Sequence, residues 1–166
     1  MHDEQVTVVD SRNRVTGSAP RWKMRAERLP HRATYVYVFD SAGRLFVQRR
    51  TMTKDVYPGY LDLAAGGVVL ADEDYHTAAL RELAEELGVT GVDIERLFDF
   101  VYVTEENHVF GEAFRCVWDG PMVLQAEEVA SGRFWPIDEI LAARVREQFT
   151  PDSLYALERL LAGEHS

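Results

Sequence analysis

The stretch from Gly67 to Val89, GVVLADEDYHTAALRELAEELGV, decides the fold. Tyr75 to Leu87 is rich in Ala, Leu and Glu and free of Pro and Gly, which predicts a helix, and Gly88 supplies its C-terminal stop. At roughly 100° per residue, Glu82, Glu85 and Glu86 occupy about a third of the helix circumference, with Leu80, Leu83 and Leu87 on the opposite side. One face is expected to pack and the other to present three carboxylates. Like charges three and four residues apart repel by roughly 0.2–0.5 kcal/mol per pair on a free helix, so the arrangement calls for compensation. A hard divalent cation supplies it. Mg²⁺ takes oxygen ligands, keeps several waters and binds through a few carboxylates together with substrate phosphates.

A solvated acidic face is the ordinary explanation of three glutamates in five residues. The complete pattern, Gly67-x5-Glu73-x7-Arg81-Glu82-Leu83-x-Glu85-Glu86-x-Gly88-Val89, is far more specific, and it resembles the Nudix box at every defining position. That resemblance implies an α/β (α+β) fold, a Nudix-type α/β/α sandwich around a mixed β-sheet with a loop-helix-loop catalytic motif. It also implies Mg²⁺ or Mn²⁺ and hydrolysis of a nucleoside diphosphate linked to another moiety. Carried over by position, Glu82, Glu85 and Glu86 are the catalytic and metal-binding carboxylates, with the Gly66 carbonyl as a backbone ligand. Gly67, Glu73, Arg81 and Gly88 take structural roles, Glu73 and Arg81 pairing to fix the loop against the helix.

The chemistry explains the residue types. Water must attack a phosphorus whose anionic oxygens repel a nucleophile; bound metal neutralises that charge and acidifies the water. A glutamate not wholly committed to metal then takes the proton, and Glu85 and Glu86 are both candidates for that base. Some members of the resembled family recruit a further carboxylate from a later loop, a place held here by Glu127 and Glu128; a solvated acidic turn is the competing explanation.

The likeness extends beyond the box. His31-Arg32-Ala33 before an apolar strand, Leu45 to Arg50, and Thr53-Lys54-Asp55-Val56-Tyr57-Pro58-Gly59 look like the isopentenyl-diphosphate isomerase-like branch of the Nudix superfamily. In that branch the arginine ending the strand and the following lysine contact the diphosphate, which assigns substrate-binding roles to Arg50 and Lys54. Arg offers a planar fork to phosphate oxygens and Lys a mobile point charge. Strand neighbours face opposite sides, so of Arg49 and Arg50 one is expected to enter the site, and Arg50 is favoured. Isomerase activity is disfavoured, because Ala65, Gly67 and His108 stand where the resemblance would require the catalytic cysteine, a metal-binding histidine and a glutamate. Cys116, the single cysteine, sits in an alternating strand pattern and reads as core.

At 166 residues and 46% hydrophobic content, the chain suits one domain, with residues 1–30 as an amino-terminal hairpin and short helix and 31–166 as the core. One cysteine excludes an internal disulfide framework and fits a reducing compartment. No apolar run approaches a membrane span of ~20 residues and the amino terminus lacks a signal pattern, so a cytoplasmic protein without a membrane partner is expected. A formal net charge of −10 disfavours binding of nucleic-acid polymer, yet permits a small diphosphate substrate wherever local cations reverse the field.

Within the expected core, Thr34 to Phe39, Leu45 to Gln48, Ile94 to Thr104 and Val109 to Trp118 read as strands, and Thr150-Pro151-Asp152-Ser153 opens a last helix docked by Leu154, Leu157 and Leu161. Tyr57, Tyr60, Phe100, Tyr102 and Phe110 are candidate walls for the substrate's organic part, Tyr57 foremost from its place in the loop before the box. Two functional classes emerge: a metal-dependent pyrophosphohydrolase, and a non-catalytic module that senses phosphorylated metabolites. Every glutamate of the box is present, which favours the enzyme. The hairpin offers an edge for a homodimer, and the substrate's identity has no readable code outside the box.

Overall fold

A strand covered by helices on both faces is apolar at successive positions instead of alternating, and His31–Phe39, HRATYVYVF, is of this kind. In the computed structural model, which describes residues 4–163, it lies inside an eight-stranded mixed sheet. In chain order the strands are β1 (Gln5–Val9), β2 (Val15–Pro20), β3 (His31–Phe39), β4 (Leu45–Arg50), β5 (Leu61–Asp62), β6 (Glu95–Val103), β7 (His108–Val117) and β8 (Val129–Trp135). The helices are α1 (Arg21–Glu27), α2 (Tyr75–Leu87), α3 (Ile137–Ala143) and α4 (Pro151–Leu161).

β3 pairs in parallel with β7 from His31↔Val109 to Phe39↔Val117, and β7 pairs antiparallel with β6. On its other edge β3 meets β4 through Phe39↔Leu45, then parts from it. The vacated edge is taken by the segment before α2, through bridges Val36↔Ala65 and Ala33↔Val68. β1 joins at Val8↔His31 and brings β2 with it, while β4 pairs with both β5 and β8. The amino-terminal hairpin therefore extends the sheet beside the box loop, and Thr7 N–H donates to the Val69 carbonyl at 3.1 Å.

The alternation of β3 sorts two cores. Tyr35, Tyr37 and Phe39 pack with Leu61, Phe98, Ile140 and Leu157 under α3 and α4, whereas Val36 and Val38 pack with Leu83, Leu87 and Phe114 under α2. The expected layering of helix, sheet and helix is what the chain forms. Three details differ. β3 begins at His31, ahead of Thr34, because pairing with β7 starts there. β8 runs from Val129, although Ala130 to Arg133 are exposed and show no alternation; its pairing with β4 makes it a strand. Leu161 is exposed and Leu160 is buried in its stead.

Candidate active site

Helix α2 starts cleanly because the Asp74 carboxylate accepts from Thr77 N–H at 2.7 Å, and it ends on Gly88, whose φ of 66° is the left-handed stop. Its buried side is not purely apolar: Ala78, Ala79, Leu83 and Leu87 share it with Glu82 and Glu86, which are 8% and 4% exposed. Leu80 is 37% exposed, at the margin of the packed arc and not at its centre. Burial raises the Glu82 carboxyl above its ordinary value, and burial followed by the Glu82 charge raises Glu86 much further. Gly66 N–H donates to Glu86 Oε1 at 3.1 Å. That donor is in reach because position 66 carries no side chain: a Cβ there would lie 2.0 Å from the Thr34 carbonyl oxygen, and φ is 148°. The glycine lets the loop lie flat on β3 and face the helix.

Arg81 ties the loop to the helix. Its Nε donates to Glu73 Oε2 at 2.7 Å and its Nη2 to Glu73 Oε1 at 2.9 Å, while Leu70 N–H donates to that same Oε1 at 3.0 Å. Nη1 reaches Glu82 at 2.6 Å and Glu85 at 3.0 Å. Glu85 is thus held on the outer side of the arginine, its side chain 60% exposed. Gly88 and Gly67 complete the fit; a Cβ on Gly67 would meet Glu82 Oε2 at 2.9 Å.

Opposite α2 the loop after β4 closes a continuous cleft. Its outer part is lined by Glu82, Glu86, Glu127, Glu128, Gly66 and Lys54. Its inner part shares Lys54, Gly66 and Arg21 with the outer and continues past Arg50, Tyr57 and His31 to Asp62 and Asp152. Lys54 Nζ donates to Glu128 Oε2 at 2.6 Å across the seam. Arg50 enters the cleft, donating from Nε to the Val56 carbonyl at 3.0 Å and from Nη1 to Asp62 at 3.0 Å, whereas Arg49 turns outward to the Gly59 carbonyl. Tyr57 stands in the left-handed region at φ 50°, an uncommon state for an aromatic residue, and its ring lies 5.3 Å from that of Tyr60.

The structure therefore gathers Glu82, Glu86, Gly66, Gly67, Arg50, Lys54, Tyr57, Glu127 and Glu128 around one cleft and leaves Glu85 beside it with Arg81. Of the other candidate aromatics, Phe100 and Tyr102 pack against Tyr155. Tyr35, which carried no distinguishing sequence signal, lines the cleft. Arg21 and Arg25 of α1 also went unsuspected; their spacing of four residues on a short basic helix was the available clue. His31 lines the inner part with Nδ1 2.9 Å from the Leu29 carbonyl, and burial lowers its pKa to about 4. Cys116 packs under α2 among Val38, Phe114 and Leu87, its thiol pushed up to about 11 by burial, and it lines neither part of the cleft.

The donor set fits a hard cation. Two buried carboxylates are both pushed toward the protonated form: Glu82 has Arg81 as its counter-charge, Glu86 forms no ion pair among the described residues, and the oxygens beside them belong to Gly66 and Glu128. Among the described residues no three acidic, His or Cys side chains already converge as an ion cage. Glu85 and Glu128 are engaged by Arg81 and Lys54, and Glu82 shares Arg81.

Comparison with known proteins places this geometry. The model of the NUDIX domain matches residues 29–159. The uncharacterized Nudix hydrolase YfcD of Shigella flexneri is 48% identical over 154 residues, which span 93% of this chain and 84% of that protein. An uncharacterized Nudix hydrolase of Pseudomonas aeruginosa is 42% identical over 158 residues, 95% of this chain and 94% of its own length. Among solved structures, DR0079 from Deinococcus radiodurans superposes with a TM-score of 0.82 at 25% identity, covering 94% of this chain and 98% of that one. A MutT protein from Methanosarcina mazei shares the fold at a TM-score of 0.65 and 21% identity, over 75% of this chain and 87% of its own.

Proposed function

The chain belongs to the Nudix hydrolase family, and from that premise we propose that it is a metal-dependent pyrophosphohydrolase in which Glu82 and Glu86 hold the cation and the Arg50–Lys54 wall holds the diphosphate. The observation that carries this reading is the buried pair Glu82 and Glu86 facing Lys54 across one cleft. Mg²⁺ or Mn²⁺, when bound, offsets the phosphate charge and acidifies a water. The chain's own groups do the remainder. Lys54 and Arg21, at the seam between the two parts of the cleft, draw in the anionic diphosphate despite the acidic whole. Arg50, braced by Asp62, presents a fixed fork for phosphate oxygens. Gly66 N–H orients the Glu86 carboxylate.

Glu85 and Glu128 each stand in an ion pair at the edge of the cleft, so either is released for the attacking water's proton only by giving up its cation. The likeness to the isopentenyl-diphosphate isomerase-like branch supports the phosphate-binding roles of Arg50 and Lys54. Isomerisation itself is not supported: Cys116 lies in the core under α2.

The test is release of phosphate from a panel of organic diphosphates with Mg²⁺ or Mn²⁺, for wild type, Glu85→Gln and Glu86→Gln. Glu86→Gln is expected to lose about 10²–10⁴-fold in kcat/KM while remaining folded. Turnover that survives Glu86→Gln, or that needs no divalent cation, would overturn the assignment.

A further inference from the structure

The inner part of the cleft contains two aspartates, of which Asp62 braces Arg50 and Asp152 has no part in holding the diphosphate. Asp62, on β5, is fully engaged: its Oδ1 accepts from Thr150 Oγ1 and from Ala64 N–H, both at 3.2 Å, and its Oδ2 accepts from Arg50 at 3.0 Å. Asp152, in the first turn of α4, accepts the Tyr35 hydroxyl on Oδ2 at 2.7 Å. Arg50 makes its ion pair with Asp62, and Asp152 forms none among the described residues. Asp152 nevertheless lines the cleft.

We infer that Asp152 is a specificity-determining acceptor in this inner part, taking a hydrogen bond from a hydroxyl or amino donor on the organic half of the substrate. The inference rests on the diphosphate-hydrolase reading, since the phosphates must lie at the seam with Lys54. Four features support it. An ionised carboxylate only accepts hydrogen bonds, so the group it recognises must donate. The surrounding side chains include the polar Thr34, Asn107, Thr150 and Tyr35, and the apolar aliphatic ones are no larger than valine: Ala33, Ala64, Val56, Val68 and Val109. A hydrocarbon tail seated here would strip water from Asp152 and return no hydrogen bond, which is costly for a partly buried charge. Burial and the neighbouring Asp62 charge already press on the Asp152 carboxyl, raising its pKa, so a second anionic group is disfavoured there while a donor relieves the site. Tyr57 supplies an aromatic wall at the mouth.

The experiment compares uridine diphosphate glucose and adenosine diphosphate ribose with geranyl diphosphate and inorganic pyrophosphate. Hydrolysis is followed with Mg²⁺, and binding by isothermal titration with Ca²⁺ in its place, for wild type and Asp152→Asn. At least one polar substrate is expected to exceed geranyl diphosphate by about 100-fold or more in kcat/KM, because a site built to hydrogen-bond rejects a ligand that cannot. Asp152→Asn is expected to raise KM and Kd for that substrate by about tenfold or more, with kcat nearly unchanged and pyrophosphate binding unaffected. Should Asp152→Asn fail to fold, Tyr35→Phe keeps the ring in the core, removes the donor that orients Asp152, and is expected to lower the same preference by about threefold. Geranyl diphosphate bound as well as the polar ligands, or a variant that weakens every ligand equally, would overturn the inference. If nothing is hydrolysed, the hydrolase assignment fails alone; titration then decides the inference, a polar preference lost in the variant supporting it and equal or absent binding refuting it.

Discussion

The two walls of the cleft are built in opposite ways. The acidic wall comes from one continuous segment, the loop before α2 and α2 itself, and Arg81 ties that segment to itself through Glu73, Glu82 and Glu85. The facing wall is assembled from α1, β3, the loop after β4, β5 and the start of α4, joined by the ion pairs Arg25–Asp55 and Arg50–Asp62. On the proposed function the first needs a fixed geometry, because carboxylates shared by a cation tolerate little displacement. The second can change one contact at a time, which suits recognition of whatever the diphosphate is attached to. On the proposed function, chemistry and specificity fall on mechanically separate walls, and each wall can be disturbed to see whether the other responds.

The largest effect is expected from Arg81→Ala. The side chain is only 22% exposed and donates to three carboxylates and a backbone carbonyl. Its loss leaves Glu73 and Glu82, each 11% exposed at the side chain, without their cation. Breaking a buried pair from one side costs about 3–5 kcal/mol, so urea unfolding should show a loss of that order. Arg81→Lys should recover less than half, since a point charge cannot fork to Glu73 and reach Glu82 together. A loss under about 1 kcal/mol would mean that the acidic wall is not the tied unit described.

A pH series addresses the facing wall through His31. Burial, ahead of repulsion from Arg25 and Arg21, depresses its pKa from 6.5 to about 4. A histidine depressed on folding stabilises the native state above its unfolded pKa, and that stability disappears as pH falls, because the unfolded chain takes up the proton first. About 3 kcal/mol should therefore be lost between pH 6.5 and 4 through this group, at roughly 1.4 kcal/mol per unit. Chemical denaturation at several pH values should show that slope reduced by this amount in His31→Asn. Equal slopes in the two proteins would show that His31 does not stay neutral in the folded cleft.

How much of this was legible in the sequence follows from the same contrast. The helix, its Gly88 stop and the clustering of Glu82 with Glu86 were readable because helical period is a local quantity, whereas the Glu73–Arg81 pair was implied by the family resemblance. The burial of Glu82 and Glu86 was not readable, since period alone placed them on a polar face, while the Gly66–Gly67 loop lies against both. Strand alternation allowed only one of Arg49 and Arg50 to enter the cleft, the family resemblance favoured Arg50, and Arg50 is the one that enters. Arg21, Tyr35, Asp62 and Asp152 were invisible: they are 131 residues apart at the extremes, and no spacing rule links α1 to the first turn of α4. β8 was illegible for a related reason, since its exposed residues carry no alternation and pairing alone defines it.

The smallest effect, and the sharpest test of separation, is Arg21→Gln. Arg21 lines both parts of the cleft and donates to Glu4 at 3.1 Å, with about a quarter of its side chain exposed. Removing it should weaken attraction for the diphosphate without touching Glu82 or Glu86. The expectation is a rise in KM of about tenfold with kcat little changed, the pattern of an interaction made equally in ground and transition states. The wild-type KM should rise with added salt more steeply than that of the variant, since one screened charge has been removed. A fall in kcat of the same size would place Arg21 in the chemistry, and the two walls would then act as one machine.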